Sequence, residues 1–440
     1  MTDPLAIEVR WLERSNGSPA EQAGFGELEI RCGDSVLTEV LDTFAGTVRS
    51  SVRVSVLHFG TWLVSNWWRL RFEPRPRPAA LESDWRMTHE LAGAGGGFAW
   101  PWIRIASDGE TVHLSARETN DKRLPVRFFQ RADRLVSATE WERVVDDFVA
   151  RLLERLDSRR AESPELWEAW NVFQAERRDP VLAQTRRREA LLGLDPDQIS
   201  RAELAEILNT GRWMGEAALD ETMAAARNTD IRDTIADLRS ARTHSAGDLD
   251  LRALDSVRRA WRQGARSFAL PWQRGAALAR FARQELGINS TEPIPSRRLS
   301  ELIGRDLKTL QTSPGALLAS GFRIQDGGGS RWRFRGRRRH PLGRRFEAAR
   351  LLADFLDGPQ EDMVLPITDA FTARQKVQRS FAQEFLCPVA ALSERLSSLP
   401  SDDEIEEAAE FFGVSDRTVR TALVNHGLVD RSYLPEGSVS

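Results

Sequence analysis

At Ser137 the spacing of apolar residues changes period, and that break limits the fold more than any other feature. Beyond it, Trp141, Val144, Val145, Phe148, Leu152, Leu153 and Leu156 recur at helical spacing. Ser137 and Glu140 fit a capping box, in which each side chain would satisfy a free backbone N–H at the helix start. Before the break the pattern reads as strands. Residues 61–72 alternate, with Trp62, Val64, Trp68, Leu70 and Phe72 on one side, which predicts a long strand. Residues 102–114 predict a hairpin, because Asp108-Gly109 supplies the positive φ angles of a tight turn. The spacing therefore predicts a β-rich domain over residues 1–160, closed by a long helix, with its many tryptophans in the core. The run Gly93-Ala94-Gly95-Gly96-Gly97 predicts a flexible loop. A phosphate cradle needs a helix start behind the glycines, and Phe98-Ala99-Trp100-Pro101 does not provide one.

With 440 residues, 41% hydrophobic and 29% charged, the chain has the composition of a soluble globular protein of two or three domains. Its apolar runs fall far short of the ~20 residues that span a bilayer, so no membrane partner is expected. Met1-Thr2-Asp3-Pro4-Leu5 lacks the basic and apolar regions of a secretion signal, and Cys32 and Cys387 are expected as thiols in a reducing cytoplasm. Residues 161–265 predict a run of charged amphipathic helices, a linker or interaction domain without visible chemistry. Breaks are expected at 194–197 and 243–247.

The net charge of −3 hides a strong segregation. Residues 252–345 hold 21 basic and 6 acidic side chains, a net +15, so the remainder carries −18. At the centre of this stretch lie Arg331, Trp332, Arg333, Arg335, Arg337, Arg338 and Arg339. Arginines neutralise phosphates and interleaved aromatics stack on bases, which points to DNA or RNA. The same pattern also fits a strand whose arginines pair with acidic parts of this chain, and the sequence leaves both readings open.

From about residue 270 the order of motifs becomes specific. A helix follows Pro271-Trp272, then Pro293-Ile294-Pro295 and a second helix, basic strands, and the segment Arg345-Phe346-Glu347-Ala348-Ala349-Arg350-Leu351-Leu352-Ala353-Asp354. Next come Phe381-Ala382 with Leu386-Cys387-Pro388, and finally Phe412-Gly413-Val414-Ser415. This order resembles the peptidase domain of the ImmA/IrrE-type metallopeptidases. Their zinc helix runs R-F-x-x-A-H-E-x-x-H, followed by an A-N-x-F-A-x-x-L-L-x-P helix and a helical tail with F-x-V-S. The likeness covers about 160 residues and implies a zincin-like α+β domain over 266–430, with 431–440 as a flexible tail. The whole chain is then an α+β multidomain protein.

The catalytic chemistry of that family does not carry over. A zincin needs two histidines at i and i+4 and a glutamate as general base. Here Arg350, Leu351 and Asp354 hold those positions, and a guanidinium has no lone pair to offer a metal. A glutamate that often completes such a site falls near Gln375. His89-Glu90-Leu91 starts like a zinc motif, but Gly93 stands where the second histidine belongs. No cofactor and no metal are expected. Arg350 and Asp354, at i and i+4, are expected to pair where the ion would sit. In the tail, a Ser401/Glu404 capping box and a Gly413-Val414-Ser415 turn predict a helix-turn-helix-like pair, with Arg417, Thr418, Arg420 and Asn425 exposed for phosphate and base contacts.

The expected function is non-catalytic: a pseudopeptidase that binds nucleic acid, partner proteins or both through an arginine-rich face. The resemblance implies a bacterial regulatory role, in transcription or antiviral defence. A divergent zinc endopeptidase and an assembly subunit without nucleic-acid affinity are the alternatives.

Overall fold

A computed structural model describes residues 2–430 and 433, apart from 77–82, 122, 228, 245–246, 265 and 327–328. It is an α+β structure, about half helical, with antiparallel sheets. The chain divides into two compact units, Met1–Ser200 and Arg201–Ser440. Residues 161–265, expected as a region of their own, are shared between the two. Except for Tyr433, the 431–440 tail lies outside the described residues.

In the first unit, Leu5–Trp11 and Phe25–Cys32 pair antiparallel along their whole length, and Val52–Ser55 joins the far side of Phe25–Cys32. Trp102–Ser107 and Thr111–Arg117 form the expected hairpin around Asp108-Gly109, with Ala132–Ser137 as a third strand. The long helix runs from Ala138 to Ser158, capped by Ser137, whose hydroxyl accepts the backbone N–H of Glu140; the Glu140 carboxylate goes to Arg143, so only this half of the expected capping box forms. Its apolar face, from Trp141 to Leu156, is buried.

Residues 61–72 do not form the expected strand. Val56–Ser65 and Trp67–Phe72 are helices. The first buries Val56, Leu57, Phe59, Gly60, Trp62, Leu63 and Val64, on nearly every side. A helix buried all round shows no 3.6-residue stripe, so tryptophan and valine could mimic alternation. Gly60 is needed where this helix meets the long one, because a Cβ there would stand 2.5 Å from a Leu152 methyl. Among the tryptophans, Trp62, Trp67, Trp68, Trp85, Trp100 and Trp141 are core residues.

The second unit is built round the helix Pro341–Asp357, which contains the 345–354 segment. It packs on the helix Ala373–Leu386, which also packs along Pro271–Glu285. One antiparallel sheet lies against it, ordered Asp248–Leu249, Gly329–Arg335, Ala319–Asp326, Val364–Ile367. Ala348, Ala349, Leu351, Leu352, Ala353, Phe355 and Leu356 are all buried. The tail helices Asp402–Phe412 and Asp416–Asn425 meet at Gly413, which takes left-handed φ. The Ser401/Glu404 capping box is present. Among the described residues no helix is long and apolar enough to cross a membrane. Cys32 and Cys387 are free and buried, and burial pushes the Cys32 thiol up to about 12.

Candidate functional site

The motif helix presents Arg350 and Asp354 toward Ala373–Leu386, but the two do not pair with each other. Arg350 donates through Nη2 to Thr368 O and Gln375 Oε1, each at 2.6 Å, and to Gln378 Oε1 at 3.3 Å. All three acceptors are neutral. Its Nε has no hydrogen-bond partner among the described residues. Burial, with repulsion from Arg379, pushes the guanidinium pKa down to about 9.

Asp354 belongs to a different cation. Arg374 grips it with Nε and Nη2, at 2.7 and 2.8 Å, while Nη1 reaches Asp362 at 2.7 Å. The planar guanidinium suits this two-pronged contact. Burial opposes the Arg374 charge, but the two carboxylates outweigh it and hold its pKa above the ordinary value. The expected ion pair at i and i+4 is therefore corrected. The i+4 carboxylate is turned toward the first turn of the next helix, where Arg374 bridges two acids, and Arg350 is left to polar amides. Leu351 is fully buried and faces the sheet. A Cβ on Gly321 would stand 2.6 Å from its Cδ1, so the strand backbone presses directly against it.

Gln375 links the two halves of the network. Its Oε1 accepts from Arg350 and from Thr368 N, and its Nε2 donates to Pro366 O and to Glu221 Oε2. Glu221 also accepts from Thr372 Oγ1 at 2.8 Å. Burial raises its pKa, against the pull of Arg374. Because the folded-state pKa lies above the unfolded one, the folded state binds more protons there. Stability from this group is full below about 4.5 and falls as pH rises through the folded value. Urea unfolding from pH 4 to 8 should therefore show the wild type losing stability relative to Glu221→Gln as pH rises. A pH-independent difference would contradict this.

The residues present do not suit a metal. Arg350 is cationic, Leu351 is apolar and packed on a strand, and Asp354 is saturated by Arg374. Among the described residues no group of three or more His, Cys, Asp or Glu could hold an ion. His89 is likewise no ligand. Fully buried, it faces Ile105 O through Nδ1 and Glu73 through Nε2, and its ring stacks on Trp85.

The arginine-rich strand is largely neutralised from within. Arg335 holds Asp237 with two bonds of 2.9 and 2.7 Å, and Arg333 pairs with Asp248. Arg337 grips Asp369, and Arg331 stands 3.5 Å from Asp248. Trp332 is buried edge-on to Phe355, so it is no stacking platform. Glu347 of the motif helix accepts the backbone N–H groups of Arg337 and Arg338. In the tail, Arg420 spans to Asp402 and so joins the two helices rather than projecting; Thr418 bonds Ser415, and Arg417 and Asn425 are exposed.

A basic corner does form at the start of the motif helix. Arg345 is buried and donates to Gly413 O, Phe412 O, Ile294 O and Ser296 Oγ. It thereby fixes the tail turn and the start of the helix Ser296–Ile303 to this point. Arg344 reaches Lys308 O, and Arg338 packs beside Gly343. Arg338, Arg339 and Lys308 are exposed at this end, Arg338 with Glu347 at 3.8 Å and Asp369 at 3.9 Å. The sequence had singled out Arg350, Asp354 and Gln375 but not Glu221, Asp362, Arg374 or Gln378. Glu221 lies about 150 residues from its partners, and no local pattern signals it. Compared with family models, curated proteins and solved structures, the chain matches none.

Proposed function

We propose that the second unit is a non-catalytic pseudopeptidase domain that works by binding, with nucleic-acid phosphates as the contact of its basic corner. One observation carries the reading: the three motif positions are each committed elsewhere, Arg350 to amides, Leu351 to the sheet and Asp354 to Arg374. A helix so occupied acts as a pillar. Its basic end holds Arg338, Arg339 and Lys308 outward, and Arg345 ties it to Phe412 and Gly413, just before the tail helix that bears Arg417. The internal pairing of Arg333, Arg335 and Arg337 moves the expected contact from the strand to this corner. A regulatory or defence role, as the resemblance implies, belongs with this reading.

The test is binding of duplex and single-stranded DNA and of RNA to the full chain as salt is varied. Affinity should fall steeply with salt. The Arg338→Ala/Arg339→Ala/Arg417→Ala variant should weaken binding and lower the log–log salt slope by roughly one per lost phosphate contact. No binding at low salt, or an unaltered slope in the variant, overturns the nucleic-acid part. One zinc per chain with metal-dependent peptide cleavage overturns the non-catalytic part.

A further inference from the structure

Most arginines of the basic stretch have an acid of their own. Arg280 pairs with Glu384, Arg297 and Arg298 with Glu301, and Arg335 with Asp237. Arg258, on the helix Asp255–Gln263, is different. Among the described residues no carboxylate touches it, and its Nε is buried without a hydrogen-bond partner. Buried donors in folded proteins are almost always paired, so an orphaned one calls for a reason.

An aromatic ring rather than an acid holds Arg258 in place. Its Cζ stands 4.7 Å from the centroid of Phe355, which is buried on the motif helix and set edge-on to Trp332. The turn after the motif helix brings two more guanidiniums beside it. Arg262, one helical turn beyond Arg258, donates through Nη2 to Gly358 O. Arg323, on the strand Ala319–Asp326, donates through Nη1 to Gln360 O at 3.1 Å. Both anchors are main-chain carbonyls of one turn, so the group is fixed before any ligand arrives, which lowers the cost of binding. Burial, then the like charges of Arg262 and Arg323, hold the Arg258 guanidinium below its ordinary pKa, and Asp255 and Asp354 counter this only from beyond contact. Arg262 is exposed and Arg258 and Arg323 are half-buried, so an anion can reach the group from solvent.

We propose that Arg258, Arg262 and Arg323 form a binding site for a phosphate monoester. Such a group carries close to two negative charges and presents three acceptor oxygens, against one charge and two oxygens for a carboxylate. Guanidinium forks match phosphate oxygens in pairs, and three forks on one turn suit a terminal phosphate better than a singly charged diester. The site goes beyond the binding function proposed above. It lies at the opposite end of the motif helix from the basic corner and is read with a small ion, so either can fail alone.

The experiment is calorimetric titration of the full chain with inorganic phosphate, with acetate at equal ionic strength as the control. One phosphate should bind per chain with Kd below about 1 mM, and acetate should not compete. Arg258→Met keeps an apolar stem on Phe355 and loses no acid partner. It should keep the wild-type melting temperature while weakening phosphate about tenfold or more. Arg262→Gln, at an exposed position, should weaken phosphate as well. A short single strand with a 5′-phosphate, compared with its 5′-hydroxyl form, identifies the source. Tighter binding of the phosphorylated strand, lost in Arg258→Met, assigns the site to a strand end; equal binding of the two strands with inorganic phosphate still bound assigns it to a small phosphate compound. No saturable heat with phosphate, equal binding of acetate, or phosphate affinity unchanged in both variants overturns the proposal.

Discussion

Replacing Arg374 with alanine should destabilise the second unit by about 3–5 kcal/mol, the range for removing one partner of a buried ion pair. For a unit of this size that corresponds to a fall in melting temperature on the order of 10 °C. The reason lies in what stays behind. Asp354 and Asp362 are each 2% exposed, and burial already raises the Asp362 pKa even with Arg374 in place. Without the guanidinium, two carboxylates face each other and Glu221 with no cation in contact. Arg350→Met should cost less. It loses bonds to neutral acceptors, but it also removes a buried cation that no carboxylate touches. Urea unfolding of both variants checks the order. Equal losses, or an Arg374→Ala protein as stable as wild type, would show that the ion network is not what holds the motif helix to its neighbour.

How much of this was legible in the sequence depends on the range of each signal. The Ser137 and Ser401 caps, the Asp108-Gly109 hairpin and the helices of the second unit are local, and each appears where its residues place it. Residues 61–72 misled because complete burial erases the helical stripe and leaves only tryptophan and valine, which favour strands elsewhere. The strand arginines were legible as a charge excess but not as pairs. Asp237 lies 98 residues before Arg335, and only the sheet brings the helix Ile231–His244 over that strand. The residue types at the motif positions, Arg350, Leu351 and Asp354, were legible. What fills the space was not, because i,i+4 spacing identifies neighbours on one helix, whereas the cation that takes Asp354 comes from the next helix.

That same geometry governs any attempt to install a metal motif on this helix. The triple variant Arg350→His/Leu351→Glu/Asp354→His should hold less than one zinc per chain and should lose about 5 kcal/mol or more, comparable to the whole stability of a typical domain. Each change fails for its own reason. A histidine at 354 takes from Arg374 the bidentate carboxylate that anchors it. A glutamate at 351 sits where Leu351 is fully buried against Gly321 and Leu365, so a carboxylate there has neither water nor a donor. A histidine at 350 no longer spans to Thr368, Gln375 and Gln378, which then lose a shared donor. These sites share one network, so the losses are coupled rather than additive. Elemental analysis after dialysis, with unfolding followed in parallel, decides the matter. One tightly held zinc per chain at wild-type stability would mean that the pillar helix can serve as a metal scaffold. A destabilised, zinc-poor protein would mean that packing round Arg350, Leu351 and Asp354 leaves no room for a metal, because the neighbours of this helix depend on these three residues.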